Sequence, residues 1–547
     1  SVLKETDPAP RRSGVMTQPT PAPRQLLDRS LVLTLGLVVI LALAARVVEL
    51  SNIPGVNGDE AWYGVQIGRL LAGQPFEWKT PSRLPLNPFY FGLQAPFLAL
   101  KPPAFWMLRM PSLLAGVLCL LVVGLWAARP LGRGVAGWSA GFLTFSPVMI
   151  AYARFGWDSS LTPLAGAIAL GFAVRRSFLG TSLAWLASGI VHPTNILLAP
   201  WLAAPFLSEW FRRLRQAEVG RSDPTGISPF LKRTAVTILL IVLATESYRE
   251  WTLARGEFAR LPSWRFLERL LDFLSGITAY RFLAGPVPES VVWTWRVGTL
   301  MGLGGVLALG SRSLWKRRNE QALFLGAGLV VSVAGLFALA GPDCIQPGTD
   351  RYGMFLMVPF AVMLALVLDA ALARFPREKA RRMGLLTMIG LGVVCLIAFR
   401  DHYFLVFETT GGDAHRTFHT AEIEPKQQVF EKILSLQSRT GPASSPRLVL
   451  TENWWLFWPI QFLALRHPEI EIRDLETISL DPEERERQAR SFLDQGAIVV
   501  LFADSELAKP AAQAGAWTDI VRDRSQRPLI LLIQGRSRPT SPRISHP

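Results

Sequence analysis

The segment Asn57-Gly58-Asp59-Glu60-Ala61-Trp62-Tyr63 sets two adjacent carboxylates just beyond the first long apolar run. A carboxylate within hydrogen-bond reach of a hydroxyl can take its proton as a new bond forms, which makes Asp59 a candidate general base with Glu60 positioning it or the acceptor. The same pair also suits a plainer role, Asp59 as an N-cap and Glu60 as a first-turn acid that favours the helix dipole. Tyr63, Ile67, Leu70 and Leu71 follow at helical spacing, and Gly73 and Pro75 close the segment. This predicts a short amphipathic helix on a membrane surface with the acids at its N-terminus. Lys79, Arg83, Asn87 and Tyr90 come next, and Arg154 with Asp158 forms a second acid–base cluster. Fixed cations can stabilise the charge that develops on a leaving anion, and Lys79, Arg83, Arg154 and Arg351 are the candidates. Each has a duller use. Arg154 and Asp158 could be an exposed ion pair worth ~0–1 kcal/mol. Arg351 could snorkel to an interface, Lys79 and Arg83 could attract anionic headgroups, and His192-Pro193 could be a polar turn. No His, Cys, Asp or Glu cluster has metal-ligand spacing, so no metal or other cofactor is predicted.

The elements that must hold these residues are dominated by membrane-type patterning. Half of the residues are apolar (50%), yet the formal net charge is +15. Apolar runs of a length suited to a bilayer core roughly 30 Å thick alternate with short Arg-rich connections. The basic residues form no stripe with interleaved aromatics, which excludes a nucleic-acid partner. Spans are predicted near 31–50, 110–128, 134–152, 159–174, 178–191, 195–210, 233–247, 293–310, 322–341, 353–373 and 383–400. The fifth and sixth are short. The first is too long for a signal-peptide core and is predicted to remain as a span. Basic residues recur at every second connection (Arg129/Arg133, Arg175/Arg176, Arg212–Arg233, Arg312/Lys316/Arg317/Arg318, Arg374–Arg382). With Lys4, Arg11, Arg12, Arg24 and Arg29 in the N-terminal tail, the positive-inside rule puts that tail in the cytoplasm. Opposite parity then sends the 51–109 loop, Arg154–Asp158, His192, Arg351 and the chain beyond about 401 to the external face.

Three regions are predicted: a Pro-rich disordered tail over 1–28, a helical membrane domain over 29–400 and a soluble domain over 401–547. In the last, helical stretches (425–437, 453–467, 482–494) alternate with β-type runs (Arg447–Thr451, Glu469–Ile472, Ala497–Phe502, Leu529–Gln534), which predicts an α/β domain with a largely parallel sheet. It contains no P-loop, dinucleotide fingerprint or nucleophile elbow. Trp454, Trp455 and Trp458 within it fit core or interface anchors, with sugar stacking as the alternative. Cys119, Cys344 and Cys395 are too few and too scattered for a disulfide framework.

Asp59-Glu60 early in the first external loop, Arg154-x-x-x-Asp158 after a later span, Arg109-Met110-Pro111-Ser112-Leu113 opening the second span, and Arg351-Tyr352 followed by Pro359 together carry a resemblance. Over roughly residues 30–400 the chain resembles the GT-C membrane glycosyltransferases, in the branch of protein O-mannosyltransferases and lipid A aminoarabinose transferases. The resemblance implies a mainly α fold of about eleven spans. It also implies inverting transfer of a sugar from a polyprenyl-phosphate-linked donor to a protein, lipid or glycan acceptor. The place would be the periplasmic side of the cell inner membrane, with the C-terminal domain periplasmic. Asp59, Glu60 and Asp158 would then be the catalytic acids, and Arg154, Arg351, Lys79 and Arg83 would hold the donor phosphate. Tyr63, Tyr352 and His192 would position substrate. The competing readings are a flippase for a lipid-linked sugar and a non-catalytic membrane scaffold. Transporters usually carry ionisable residues deep in their spans and often show repeated halves, and neither is present in this sequence.

Overall fold

Proline and buried arginine, as much as hydropathy, decide where the apolar helices stop. The computed structural model describes residues 23–80, 85–218, 265–316, 319–340, 342–440 and 446–535. Most of the expected tail, the expected span at 233–247 and Arg83 lie outside the described residues. Helix α1 (Pro23–Ala44) ends earlier than the apolar run predicts. Just beyond it the fully buried Arg46 donates to the carbonyls of Ala42 (2.7 Å), Leu143 (3.3 Å) and Thr144 (3.0 Å). The helices Arg133–Phe145 and Pro147–Ala153 meet at a bend of 64°. Pro147 cannot supply the N–H that would continue the first of them, and the Ser146 hydroxyl instead accepts from the Met149 N–H at the start of the second.

Among the described residues five helices are long and apolar enough to cross a bilayer: Phe105–Ala127, Glu289–Leu314, Glu320–Ala338, Asp350–Leu372 and Arg377–Thr410. The bent pair makes a sixth, and Arg29–Ala44, Asp158–Val174 and Phe178–Val191 are apolar but shorter. The chain is a mainly helical, multi-pass membrane protein. The expected eleven spans are not reached among the described residues. The last crossing does not end at 400 but continues through a π-helical turn, Arg400–Phe404, to Thr410.

The C-terminal sheet is mixed rather than largely parallel. Its strands are β1 (Arg447–Thr451), β2 (Ile470–Asp474), β3 (Ile498–Phe502), β4 (Trp517–Arg522) and β5 (Pro528–Gln534), in the order β2-β1-β3-β5-β4. β1 runs parallel to β2 and β3, whereas β5 pairs antiparallel with both β3 and β4. The short connection from Arg522 to Pro528 makes β4 and β5 a hairpin, which can only be antiparallel. β4 escaped the sequence reading because it is a largely exposed edge strand rich in polar residues.

β3 is buried along its whole length, and its alternating faces serve two cores. Val499 and Leu501 pack with Ala489, Leu493 and Ala511. Ile498, Val500 and Phe502 belong to a larger core that also holds Val56, Trp62, Val65, Ile67, Tyr90, Phe105 and Leu108 of the first loop and its flanking helix. The C-terminal sheet and the first loop are therefore packed on one continuous apolar core, and this fixes the acidic segment in space.

Candidate functional site

Helix α2 (Gly58–Leu71) begins with a capping box. The Asn57 side chain accepts from the Asp59 N–H at 2.8 Å, and the Glu60 carboxylate accepts from the Asn57 N–H at 2.9 Å. Asn57, not Asp59, is the N-cap, so the Asp59 carboxylate is free of that task. α2 is not an open surface helix: Tyr63 and Ile67 are buried, and only Leu70 and Leu71 are exposed. It lies under the helix Trp454–Leu463, and its glycines permit the approach. A Cβ at Gly58 would come within 2.5 Å of the Trp454 ring, and one at Gly64 within 2.6 Å of Phe462.

The two carboxylates have opposite surroundings. Glu60 is fully buried and saturated. Arg109 donates to it twice, at 2.9 and 3.1 Å, and the Gly156 N–H donates at 2.6 Å in addition to the Asn57 contact. Arg109, also fully buried, donates two further N–H groups to the carbonyls of Leu50 (2.9 Å) and Gly55 (3.3 Å). This pair is the lock that holds the 50–60 segment against the following helix. Asp59 is half-buried and points elsewhere. Burial pushes its carboxyl above the ordinary carboxylate value. The Arg351 guanidinium and a hydrogen bond from the Trp454 side chain pull it back, while the charges of Asp158 and Glu60 add to the rise.

Around Asp59 the chain assembles residues from four distant segments. Asp158 is reached by the Tyr63 hydroxyl and by the Asn87 side-chain amide, each at 3.4 Å from the same carboxylate oxygen. Asn87 also caps the helix Pro88–Leu100 and donates to the Val191 carbonyl at 2.7 Å, tying that loop to the turn that carries His192. The Tyr63 hydroxyl is held well above its usual value, first by burial and then by the Asp158 charge. Arg351 lies over the Trp157 ring at 4.5 Å and the Tyr352 ring at 5.3 Å, and it makes no direct ion pair among the described residues. His192 and Tyr352 place their rings 5.8 Å apart. Burial drives the His192 imidazole down to about 4, so it is neutral at physiological pH. Its Nδ1 contacts the Thr194 hydroxyl at 2.7 Å.

Asp59, Asp158, Arg351, Tyr63, Tyr352 and His192 thus form one neighbourhood, and two expected cations, Arg154 and Lys79, do not join it. Arg154 is fully buried and donates to the carbonyls of Ala45 (2.7 Å) and Ile53 (2.9 Å), with its guanidinium 4.7 Å from the Phe404 ring. Those partners make it a staple for the start of the first loop. Lys79 stands exposed in a short antiparallel bridge with Pro85, and Arg83 lies outside the described residues. Two residues of the site have no catalytic role in the sequence reading: Arg109, visible there only within the Arg-x-Pro-Ser stretch, and Trp454, read there as a core or interface anchor with sugar stacking as the alternative. Among the described residues no three His, Cys, Asp or Glu side chains are grouped to hold a metal ion.

No family model matches the chain, and no curated protein matches it in sequence. Solved structures do match. ArnT from Cupriavidus metallidurans in its apo state superposes with a TM-score of 0.53 at 14% identity, covering 93% of this chain and 98% of that one. The same protein bound to undecaprenyl phosphate gives 0.49 at 13% identity over 93% and 98% of the two chains. The archaeal oligosaccharyltransferase AglB from Archaeoglobus fulgidus, in complex with an inhibitory peptide and a dolichol-phosphate, gives 0.45 at 14% identity over 88% and 70%. From its first loop to its C-terminal sheet, the chain shares the fold of the GT-C membrane glycosyltransferase ArnT.

Proposed function

We propose that this protein is a membrane glycosyltransferase that moves a sugar from a polyprenyl-phosphate-linked donor to a protein, lipid or glycan acceptor on the periplasmic face of the inner membrane. The observation that carries the reading is the division of labour among buried charges. Glu60 and Arg109 are satisfied by each other and by backbone groups inside the fold, and Arg154 is held by two backbone carbonyls, whereas Asp59 and Arg351 face one another's field without being closed into an ion pair. A carboxylate and a guanidinium left in that state can act on a substrate. The ArnT-like fold supports the class of reaction, and the alternation of basic connections supports the face.

In this reading the acceptor hydroxyl gives its proton to Asp59 while its oxygen attacks the anomeric carbon. The bond from that carbon to the lipid phosphate breaks with its electron pair on the phosphate, whose growing charge Arg351 stabilises, and backside attack inverts the centre. The raised value of Asp59 suits a base, since general catalysis is most effective when the group titrates near the working pH. Asp158, steadied by Tyr63 and Asn87, is placed to orient a sugar hydroxyl. Tyr352 and neutral His192 line the approach, and Glu60 positions Asp59 through the capping box. The bundle over 29–400 provides the site in the membrane, and the domain beyond about 401 closes over it.

The test is transfer of radiolabelled sugar from polyprenyl-phosphate mannose and polyprenyl-phosphate aminoarabinose in membranes containing the protein. Transfer above empty membranes is expected with at least one donor. Silence with both, from well-folded protein, favours the flippase or scaffold readings. Within that assay Arg351→Ala is expected to raise the donor KM and lower the rate by ~10²-fold, the scale of losing one preorganised charge contact, with little change in acceptor KM. Equal effects on both substrates would remove Arg351 from the phosphate.

A further inference from the structure

Trp454 brings the C-terminal domain to the Asp59 side of the site. Asn453 caps the helix Trp454–Leu463, its side chain accepting from the Trp455 N–H, and this turns Trp454 toward the start of α2. The approach is as close as a backbone allows. Gly58 has no side chain, and a Cβ there would meet the Trp454 Cδ1 and Nε1 atoms at 2.5 Å. The Trp454 side chain, set against this residue next to Asp59, acts on the carboxyl as a donor that favours its ionised form. An indole N–H is a donor only, so it can serve the ionised carboxylate but cannot compete for the proton that Asp59 is to receive.

We propose that Trp454 is a positioning residue for Asp59: its indole N–H holds the carboxylate toward Asp158 and Arg351, so that the C-terminal domain completes a site begun in the first loop. The inference rests on the reading of Asp59 as the base, and it assigns the soluble domain a part in catalysis that needs no chemistry of its own. Helix Trp454–Leu463 brings no charged group to Asp59. The charges that face Asp59 are Arg351 and Asp158 from other segments and Glu60 on its own helix. Removing the indole donor therefore leaves the electrostatic surroundings unchanged and withdraws one bond from the ionised form alone. The proton on Asp59 is then held more tightly, and the base is lost at a higher pH than before.

Trp454→Phe, which keeps an aromatic ring over Gly58 and deletes the donor, is the test in the full-length protein. Dicyclohexylcarbodiimide attacks protonated carboxyls, so the pH midpoint of Asp59 labelling, read by peptide mass spectrometry, needs no substrate. The midpoint is expected to rise by about one pH unit, the scale of a hydrogen bond to a charged group. With the polyprenyl-phosphate donors above, the acidic limb of the transfer rate is expected to move up in parallel. Roughly tenfold loss at its foot and recovery on the alkaline side should follow. An unmoved labelling midpoint overturns the proposal, as does a rate lowered equally at every pH, which would mark Trp454 as packing only. Asp59→Asn, assayed alongside, separates the two ideas. If that variant transfers sugar, Asp59 is not the base and Trp454 positions nothing catalytic. If it is inactive while Trp454→Phe leaves the midpoint in place, only the role of Trp454 falls.

Discussion

Asp59→Asn is expected to lower sugar transfer by ~10²–10⁴-fold, the usual contribution of a positioned general base, with expression and melting temperature close to wild type. The expectation of a silent structural effect comes from the contacts. The amide is nearly isosteric, and its oxygen can still accept from Trp454. The helix cap belongs to Asn57 and Glu60, which the substitution leaves intact. What the amide cannot do is take a proton. The sign of the pH dependence follows from the same residue. Burial raises the Asp59 carboxyl above the ordinary carboxylate value, so wild-type transfer should hold at high pH and fall as the pH drops through that raised value. The residual rate of the variant should lack this limb. Transfer near the wild-type level in Asp59→Asn, measured with a donor that the wild type uses, would take Asp59 out of the mechanism.

How much of this site the sequence shows depends on how far apart its partners lie. The acids, the helix that follows them and the polar groups at Asn87 and Tyr90 sit within one loop, where residue type and helical spacing are enough to place them together. The alternation of basic connections sends the second cluster to the same face. Within the loop the capping residue is not legible: the commonest capping residues include Asp and Asn alike, and only geometry separates Asn57 from Asp59. The arginines were harder. Arg109, Arg154 and Arg351 are chemically identical, and what distinguishes a staple from a free cation is a set of backbone carbonyls contributed by other segments. Trp454 was the least legible. Its relation to Asp59 spans nearly 400 residues and depends on glycines in α2, and neither helix announces the other. In the C-terminal domain the strands β1, β3 and β5 stand out as short apolar runs, whereas the exposed edge strand β4 is interrupted by polar residues.

Arg109→Met is expected to destabilise the folded protein by about 3–5 kcal/mol, the scale of leaving one charge of a buried pair without its partner, and to abolish transfer with it. Arg109 and Glu60 are both wholly withdrawn from solvent. The guanidinium joins four acceptors: the two oxygens of Glu60 and the carbonyls of Leu50 and Gly55. Methionine fills the volume but leaves the Glu60 carboxylate with only the Asn57 and Gly156 N–H groups. Both carbonyls that closed the turn before α2 also lose a donor. Lysine is not a conservative replacement here, since a single ammonium cannot span a fork that reaches three segments at once. Glu60→Gln should cost less than Arg109→Met, because the amide oxygen can still accept, yet it strands the arginine's charge. The double variant should be more stable than the sum of the two losses, because removing both charges leaves none unpaired. The measurement is thermal unfolding of the detergent-solubilised protein followed by size-exclusion fluorescence, with wild type and the three variants side by side. A melting temperature for Arg109→Met close to wild type, or strictly additive losses in the double variant, would mean that the pair does not lock the loop. The position of Asp59 would then have to rest on the apolar core and on Trp454 alone.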